Sequence, residues 1–213
     1  MTSLLDKFSA AMQQLPLVAI LRGLTPAEAP EVGDAIVESG FWLLEVPLNS
    51  PQPLESVALL RRRFPDALVG AGTVLDAQQV REVHAAGGEL IVAPNFNAEV
   101  LAEAGRLGLV SLPGVMTPTE AFGALAAGAS GLKLFPAELA SPAVVKALLA
   151  VLPKGTPLMP VGGITPANMG AWRDAGATGF GIGSALYNPG KSAAAVREAA
   201  LDFVAAFNAV VRA

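Results

Sequence analysis

The 213-residue chain contains no cysteine and a single histidine. Without cysteine there is no disulfide framework, no thiolate nucleophile and no cysteine-based metal site. With one histidine besides, Ser–His–Asp, Cys–His and histidine-rich metal chemistry find no support. His84 falls in the polar-faced stretch QQVREVHAAGG and reads as a solvated helix residue rather than a catalyst. Charge is also sparse. Asp, Glu, Lys and Arg make up 15% of the residues, with 14 basic against 18 acidic and a net charge of −4. No basic run or aromatic-interleaved patch occurs, so nucleic acid is not an expected partner. Long apolar runs are missing too. The longest uncharged stretch, Gly155 to Trp172, is broken by three prolines and four glycines, which leaves nothing able to span a bilayer. The N-terminus MTSLLDKFSAAMQQL is amphipathic and lacks the apolar core of a signal peptide. A cytoplasmic protein without a membrane partner is expected.

What the chain does have is apolar residues, 53% of the total, enough for a substantial core in one domain over residues 1–213. Short β-rich runs alternate with alanine-rich helical stretches throughout. The strand candidates are LVAILR (17–22), LLEVPL (43–48), LVGAGT (68–73), LIVAPN (90–95), VSLPGV (110–115), GLKLFP (131–136), LMPVGGI (158–164) and GFGIGS (179–184). Their starts lie 20 to 27 residues apart, room for one helix and two short loops. Thr25-Pro26, Ser50-Pro51, Thr117-Pro118, Ser141-Pro142 and Thr165-Pro166 read as helix starts, each a capping residue before a first-turn proline. Gly40, Gly87, Gly128 and Gly176 read as helix ends. Eight β/α units without a compositional break predict a single (β/α)₈ TIM barrel, with an extra N-terminal helix in residues 1–16. A doubly wound open sheet is the alternative.

In such barrels chemistry is placed at the C-terminal ends of the strands. Arg22, Glu45, Thr73, Asn95 and Lys133 lie at or near those ends. Side chains alternate along a strand, so Arg22 shares a face with Ile20, Glu45 with Leu43 and Lys133 with Phe135. Those parities allow Arg22, Glu45 and Lys133 to meet in one mouth, although structural ion pairs would satisfy the same pattern. The last two units end in VGGIT (161–165) and GIGSALY (181–187). Glycine lets a backbone approach a ligand closely, and free N–H groups at a helix start attract anions. A phosphate site is the favoured reading and tight turns the plainer one.

These residues carry a resemblance. VAILRG (18–23), LLEVPLNSP (43–51), GAGTVL (70–75), APNFN (93–97), GLKLFPAE (131–138), VGGI (161–164) and GIGS (181–184) resemble the 2-keto-3-deoxy-6-phosphogluconate/6-phosphogalactonate aldolase family of class I aldolases. The resemblance implies that Lys133 forms a Schiff base with the substrate ketone and that Glu45 is the general acid/base. It implies further that Arg22 and Thr73 bind the pyruvate-derived carboxylate end, that Phe135 packs on the pyruvyl unit, and that Gly162, Gly163, Gly183 and Ser184 receive the phosphate. No metal or organic cofactor and a homotrimer are implied as well. Within the family, phosphogluconate enzymes typically carry T-L-R-T after the glutamate and P-T-G-G on the seventh strand. Here those stretches are Pro47-Leu48-Asn49-Ser50 and Pro160-Val161-Gly162-Gly163. Val161 in place of a threonine hydroxyl points to the phosphogalactonate branch, with the gluconate epimer, or both, as the alternative. A phosphosugar-binding or isomerising barrel in which Lys133 stays non-covalent is the competing class.

Overall fold

The computed structural model describes residues 3–211, with side chains up to residue 209. Helix α1 (Leu4–Gln14) precedes β1 (Leu17–Ile20), α2 (Ala29–Val37), β2 (Leu43–Pro47), α3 (Pro53–Arg63) and β3 (Leu68–Gly72). The alternation continues with α4 (Ala77–Ala85), β4 (Leu90–Val92), α5 (Ala98–Arg106), β5 (Val110–Leu112), β6 (Gly114–Val115) and α6 (Pro118–Ala126). It ends with β7 (Leu132–Leu134), a short 3₁₀ turn (Ala137–Leu139), α7 (Pro142–Leu149), β8 (Leu158–Pro160), α8 (Met169–Asp174), β9 (Phe180–Ile182) and α9 (Ala193–Val211).

The strands do not close into the expected eight-stranded TIM barrel. They form an open pair of parallel sheets, one of six strands in the order β5-β4-β3-β2-β1-β9 and one of three in the order β6-β7-β8. Two local causes separate them. Pro113 divides the single strand expected over 110–115 into β5 and β6, since proline has no N–H to donate to a ladder. On the other side β8 ends at Pro160, and only the isolated bridge Val161–Gly181 links it toward β9. There the Thr178 hydroxyl, rather than a ladder carbonyl, accepts the Leu158 N–H at 2.9 Å.

The expected N-terminal helix is present as α1, within the described residues. Ser3 caps it in a reciprocal box with Asp6. Phe8 and Ala11 turn inward and join Val18, Leu43, Leu68, Leu90 and Val110 in an inner apolar cluster. Lys7 bonds Glu89 at 2.7 Å and the Pro65 carbonyl at 2.9 Å. Both partners precede strands, so α1 covers the end of the sheets opposite the expected site. A second, larger cluster fills the space between the sheets and the helices α2 to α9. Near-continuous burial along every strand reflects this covering of both faces.

Thr117 caps α6 as expected, in a reciprocal box with Glu120, whereas Ser141 stands at the N-cap position of α7 without a side-chain capping bond. The other three expected starts fall early, because α2, α3 and α8 begin two or three residues later, after Glu28, Gln52 and Asn168. The proline in each of those stretches shapes the preceding turn. The four expected terminal glycines all take left-handed backbone, with φ from +86° to +105°.

Candidate active site

Glu45 and Lys133 lie within paired strands on opposite sheets. Glu45 pairs with Ile20 of β1 and Gly70 of β3, and Lys133 pairs with Gly114 and Met159. Both side chains therefore point between the two sheets, where Glu45 is 1% and Lys133 8% exposed. A cavity of ≈560 Å³ opens at the C-terminal ends of the strands. Of the residues expected at the site, Arg22, Thr73, Lys133, Phe135 and Val161 line it, as do Gly162, Gly163, Gly183 and Ser184. Glu45 does not. It lies one level deeper, in a small apolar chamber shared with Lys133, Val18, Ile20, Leu112 and Val161. Lys133 belongs to both spaces and forms the floor of the cavity. Asn95, expected near the mouth, is exposed and outside this lining, bonded to the Phe96 carbonyl at 3.3 Å. His84 is exposed on α4.

Electrostatics at the floor favour uncharged forms. Burial pushes the Lys133 amine below its ordinary value, opposed by the Glu45 carboxylate and assisted by Arg22. Burial pushes the Glu45 carboxyl up, opposed by Lys133 and Arg22. Taking an ion out of water into an apolar site disfavours the charged form of either group. Both groups are thereby shifted toward the neutral forms that a nucleophilic amine and a general acid use. The Lys133 Nζ also sits 4.7 Å from the centroid of the Phe135 ring.

The rim supplies a cation and a strained residue. Arg22 is exposed and donates from Nη1 to Asn49 Oδ1 at 2.8 Å. The Gly23 N–H donates to the buried Ser50 hydroxyl at 2.9 Å. Thr73 has φ +59°, left-handed backbone that a β-branched residue rarely adopts.

At the far wall Gly162, with φ +113°, and Gly163 form a turn held by Asn168, whose Nδ2 donates to the Gly163 carbonyl at 2.8 Å. Because α8 begins only at Met169 and runs six residues, this wall offers loop amides rather than the helix start expected at Thr165. Opposite it, Leu186 and Tyr187 donate to the Gly183 carbonyl at 2.9 and 3.1 Å, winding Gly183 to Tyr187 into a turn. Asn188 and Lys191 tie that turn down through the Ser184 and Leu186 carbonyls.

Four residues of the site were not assigned a role from sequence. Asn49 orients Arg22. A Cβ at Gly72 would overlap the Glu45 carboxylate, and the Glu138 side chain lies across Gly162 and Gly163. Tyr187 lines the cavity, and burial with the neighbouring Glu28 carboxylate pushes its phenol up to about 12. Only Gly72 left a signal, since it shares the inward parity of Leu68 and Gly70.

Residues 8–202 match the aldolase family of KDPG and KHG aldolases, and the chain belongs to that family. The 2-dehydro-3-deoxy-6-phosphogalactonate aldolase of Escherichia coli is 46% identical over 200 residues, 93% of this chain and 98% of its own length. The solved structure of native KDPGal superposes with a TM-score of 0.92 at 45% identity, covering 94% of this chain and 98% of that one. The KDPG aldolase of Legionella pneumophila, solved with pyruvate captured as a covalent carbinolamine intermediate, is similar with a TM-score of 0.77 at 26% identity. That match covers 94% of this chain and 97% of the other.

Proposed function

We propose that the protein is a class I aldolase cleaving 2-dehydro-3-deoxy-6-phosphogalactonate to pyruvate and D-glyceraldehyde 3-phosphate. The observation that carries this reading is the buried lysine at the cavity floor with a buried carboxyl beneath it. The Lys133 amine attacks C2 of the substrate, and loss of water leaves a protonated imine. That imine is the electron sink. When a base takes the C4 hydroxyl proton, the C3–C4 bond breaks, its electrons form the enamine, and the aldehyde departs. A proton delivered to C3 and hydrolysis of the imine then release pyruvate and free the lysine.

Glu45 carries these proton transfers. Arg22 and Thr73 receive the carboxylate end of the substrate and Phe135 packs on its pyruvyl part. The loops at Gly162-Gly163 and Gly183-Ser184 receive the phosphate, and Val161 faces the epimeric carbon. No cofactor is required, because the imine performs the electron withdrawal itself. The chain acts as one aldolase domain over residues 1–213, as a cytoplasmic homotrimer. Among the described residues no helix is long and apolar enough to cross a membrane.

Borohydride reduction in the presence of pyruvate tests the mechanism. A mass increase on the Lys133 peptide is expected, absent in Lys133→Ala. No adduct would reject covalent catalysis in favour of a non-covalent binding or isomerising protein. Comparing cleavage of the two C4 epimers tests the substrate, and preference for the gluconate form would reassign it.

A further inference from the structure

Glu45 is held by space rather than by hydrogen bonds. Its side chain is buried and its Oε2 has no hydrogen-bond partner. Gly72 stands on the neighbouring strand β3, opposite Pro47 in the register and with the same inward parity as Gly70. A Cβ at Gly72 would overlap Oε1 and Cδ of Glu45 and approach its Cγ to 2.8 Å. The backbone there is not left-handed, so glycine is not demanded by the main chain. The three atoms nearest to such a Cβ all belong to the Glu45 side chain.

We propose that Gly72 is a positioning residue for the reaction, leaving the notch that seats the Glu45 carboxyl beneath Lys133. The inference rests on the reading of Glu45 as the acid/base. An alanine methyl would rotate the carboxyl out of the notch, by about 1 Å, a misplacement able to cost about 100-fold in rate. A shorter acid would suffer less from the same methyl, because the atoms that collide most severely are the terminal ones. Gly72 therefore couples to the length of the side chain at position 45.

The test is exchange of the C3 protons of pyruvate with D₂O, followed by NMR. It is measured for wild type, Gly72→Ala, Glu45→Asp, the double variant and Glu45→Gln, with the pH profile of exchange recorded alongside. Borohydride trapping on Lys133 reports whether the imine still forms. Gly72→Ala is expected to slow exchange by about 100-fold and displace the pH profile while trapping persists. In the Glu45→Asp background the same change is expected to cost several-fold less than in wild type, a non-additivity that marks direct contact. Equal losses in both backgrounds, or an unchanged rate, overturn the proposal. If Gly72→Ala fails to fold, recovery of folding in the Glu45→Ala background supports it and failure in that background overturns it. An unaffected Glu45→Gln variant would remove the acid/base reading, and the notch with it. Loss in Glu45→Gln alongside an unaffected Gly72→Ala would overturn the notch alone.

Discussion

Lys133 Nζ lies 4.7 Å from the centre of the Phe135 ring, two residues along the same inward face. The ring walls the amine off from water on one side and offers its negative face to an ammonium. Such a contact is worth about 0.5–2 kcal/mol to the charged form, whereas burial acts the other way and pulls the amine below its ordinary value. The lysine is thus available as a nucleophile without being stranded as an unstabilised cation.

That balance gives a pH prediction whose sign differs between two variants. Imine trapping with pyruvate should have its midpoint below the ~10.4 of free lysine. The Glu45 carboxylate raises the Lys133 value and Arg22 lowers it. Glu45→Gln removes the raising influence and moves the midpoint down. Arg22→Gln removes the lowering influence and moves it up. Trapping measured by mass spectrometry across pH checks both. Shifts in the same direction would show that Arg22 and Glu45 do not act on the amine as charges.

Arg22 owes its pose to one side chain. Its guanidinium bonds Asn49 at 2.8 Å, and the next residue is pinned to Ser50. Asn49→Ala frees the long side chain without touching the floor of the site. A lost hydrogen bond of about 1 kcal/mol corresponds to about a fivefold rise in KM for the sugar acid, with kcat nearly unchanged. Steady-state kinetics separate this from a catalytic role, which would lower kcat instead.

The sequence pattern was informative where side chains alternate and blind where strands must find partners. Parity placed Glu45 and Lys133 between the sheets because an inward face is a local property of a strand. Closure is not local. Pro113 and the Pro160 end of β8 each withhold an amide, and their effect appears only when neighbouring strands are laid beside them. Thr165 likewise had the chemistry of a helix cap, but α8 starts after Asn168, because residues 166–168 first form a turn in which the Asn168 N–H donates to the Thr165 carbonyl at 3.2 Å. Asn49 gave no signal of its function, since its partner Arg22 is 27 residues away.

Thr73 carries backbone strain at the rim of the cavity. Its φ of +59° costs a non-glycine residue about 1–2 kcal/mol. Thr73→Gly removes that strain but loses about 0.5–1 kcal/mol to the added freedom of the unfolded chain. Stability should therefore hold or rise by up to about 1.5 kcal/mol, while affinity for pyruvate falls as the hydroxyl is lost. Denaturant unfolding and pyruvate inhibition, measured on one preparation, check the pair of effects. A clear loss of stability would mean that the hydroxyl, and not the active site, justifies the backbone.

Val161 offers a chemical handle on substrate choice. It is nearly buried, lines the cavity beside Lys133, and is fixed by its backbone, which accepts from Ala137 at 2.9 Å and donates to Leu134 at 3.0 Å. Val161→Thr is close to isosteric, so the main chain should stay in place. Burying a hydroxyl there costs on the order of 1 kcal/mol of stability when it finds no partner. With substrate bound, the new hydroxyl can pair with the C4 hydroxyl of one epimer and not the other. A hydrogen bond gained by the gluconate form and not by the galactonate form shifts the ratio of kcat/KM values by about tenfold toward gluconate. Cleavage of the two epimers by wild type and variant, followed through pyruvate release, measures that ratio. An unchanged ratio with normal folding would place the epimeric carbon beyond reach of position 161 and transfer the discrimination to another part of the cavity wall.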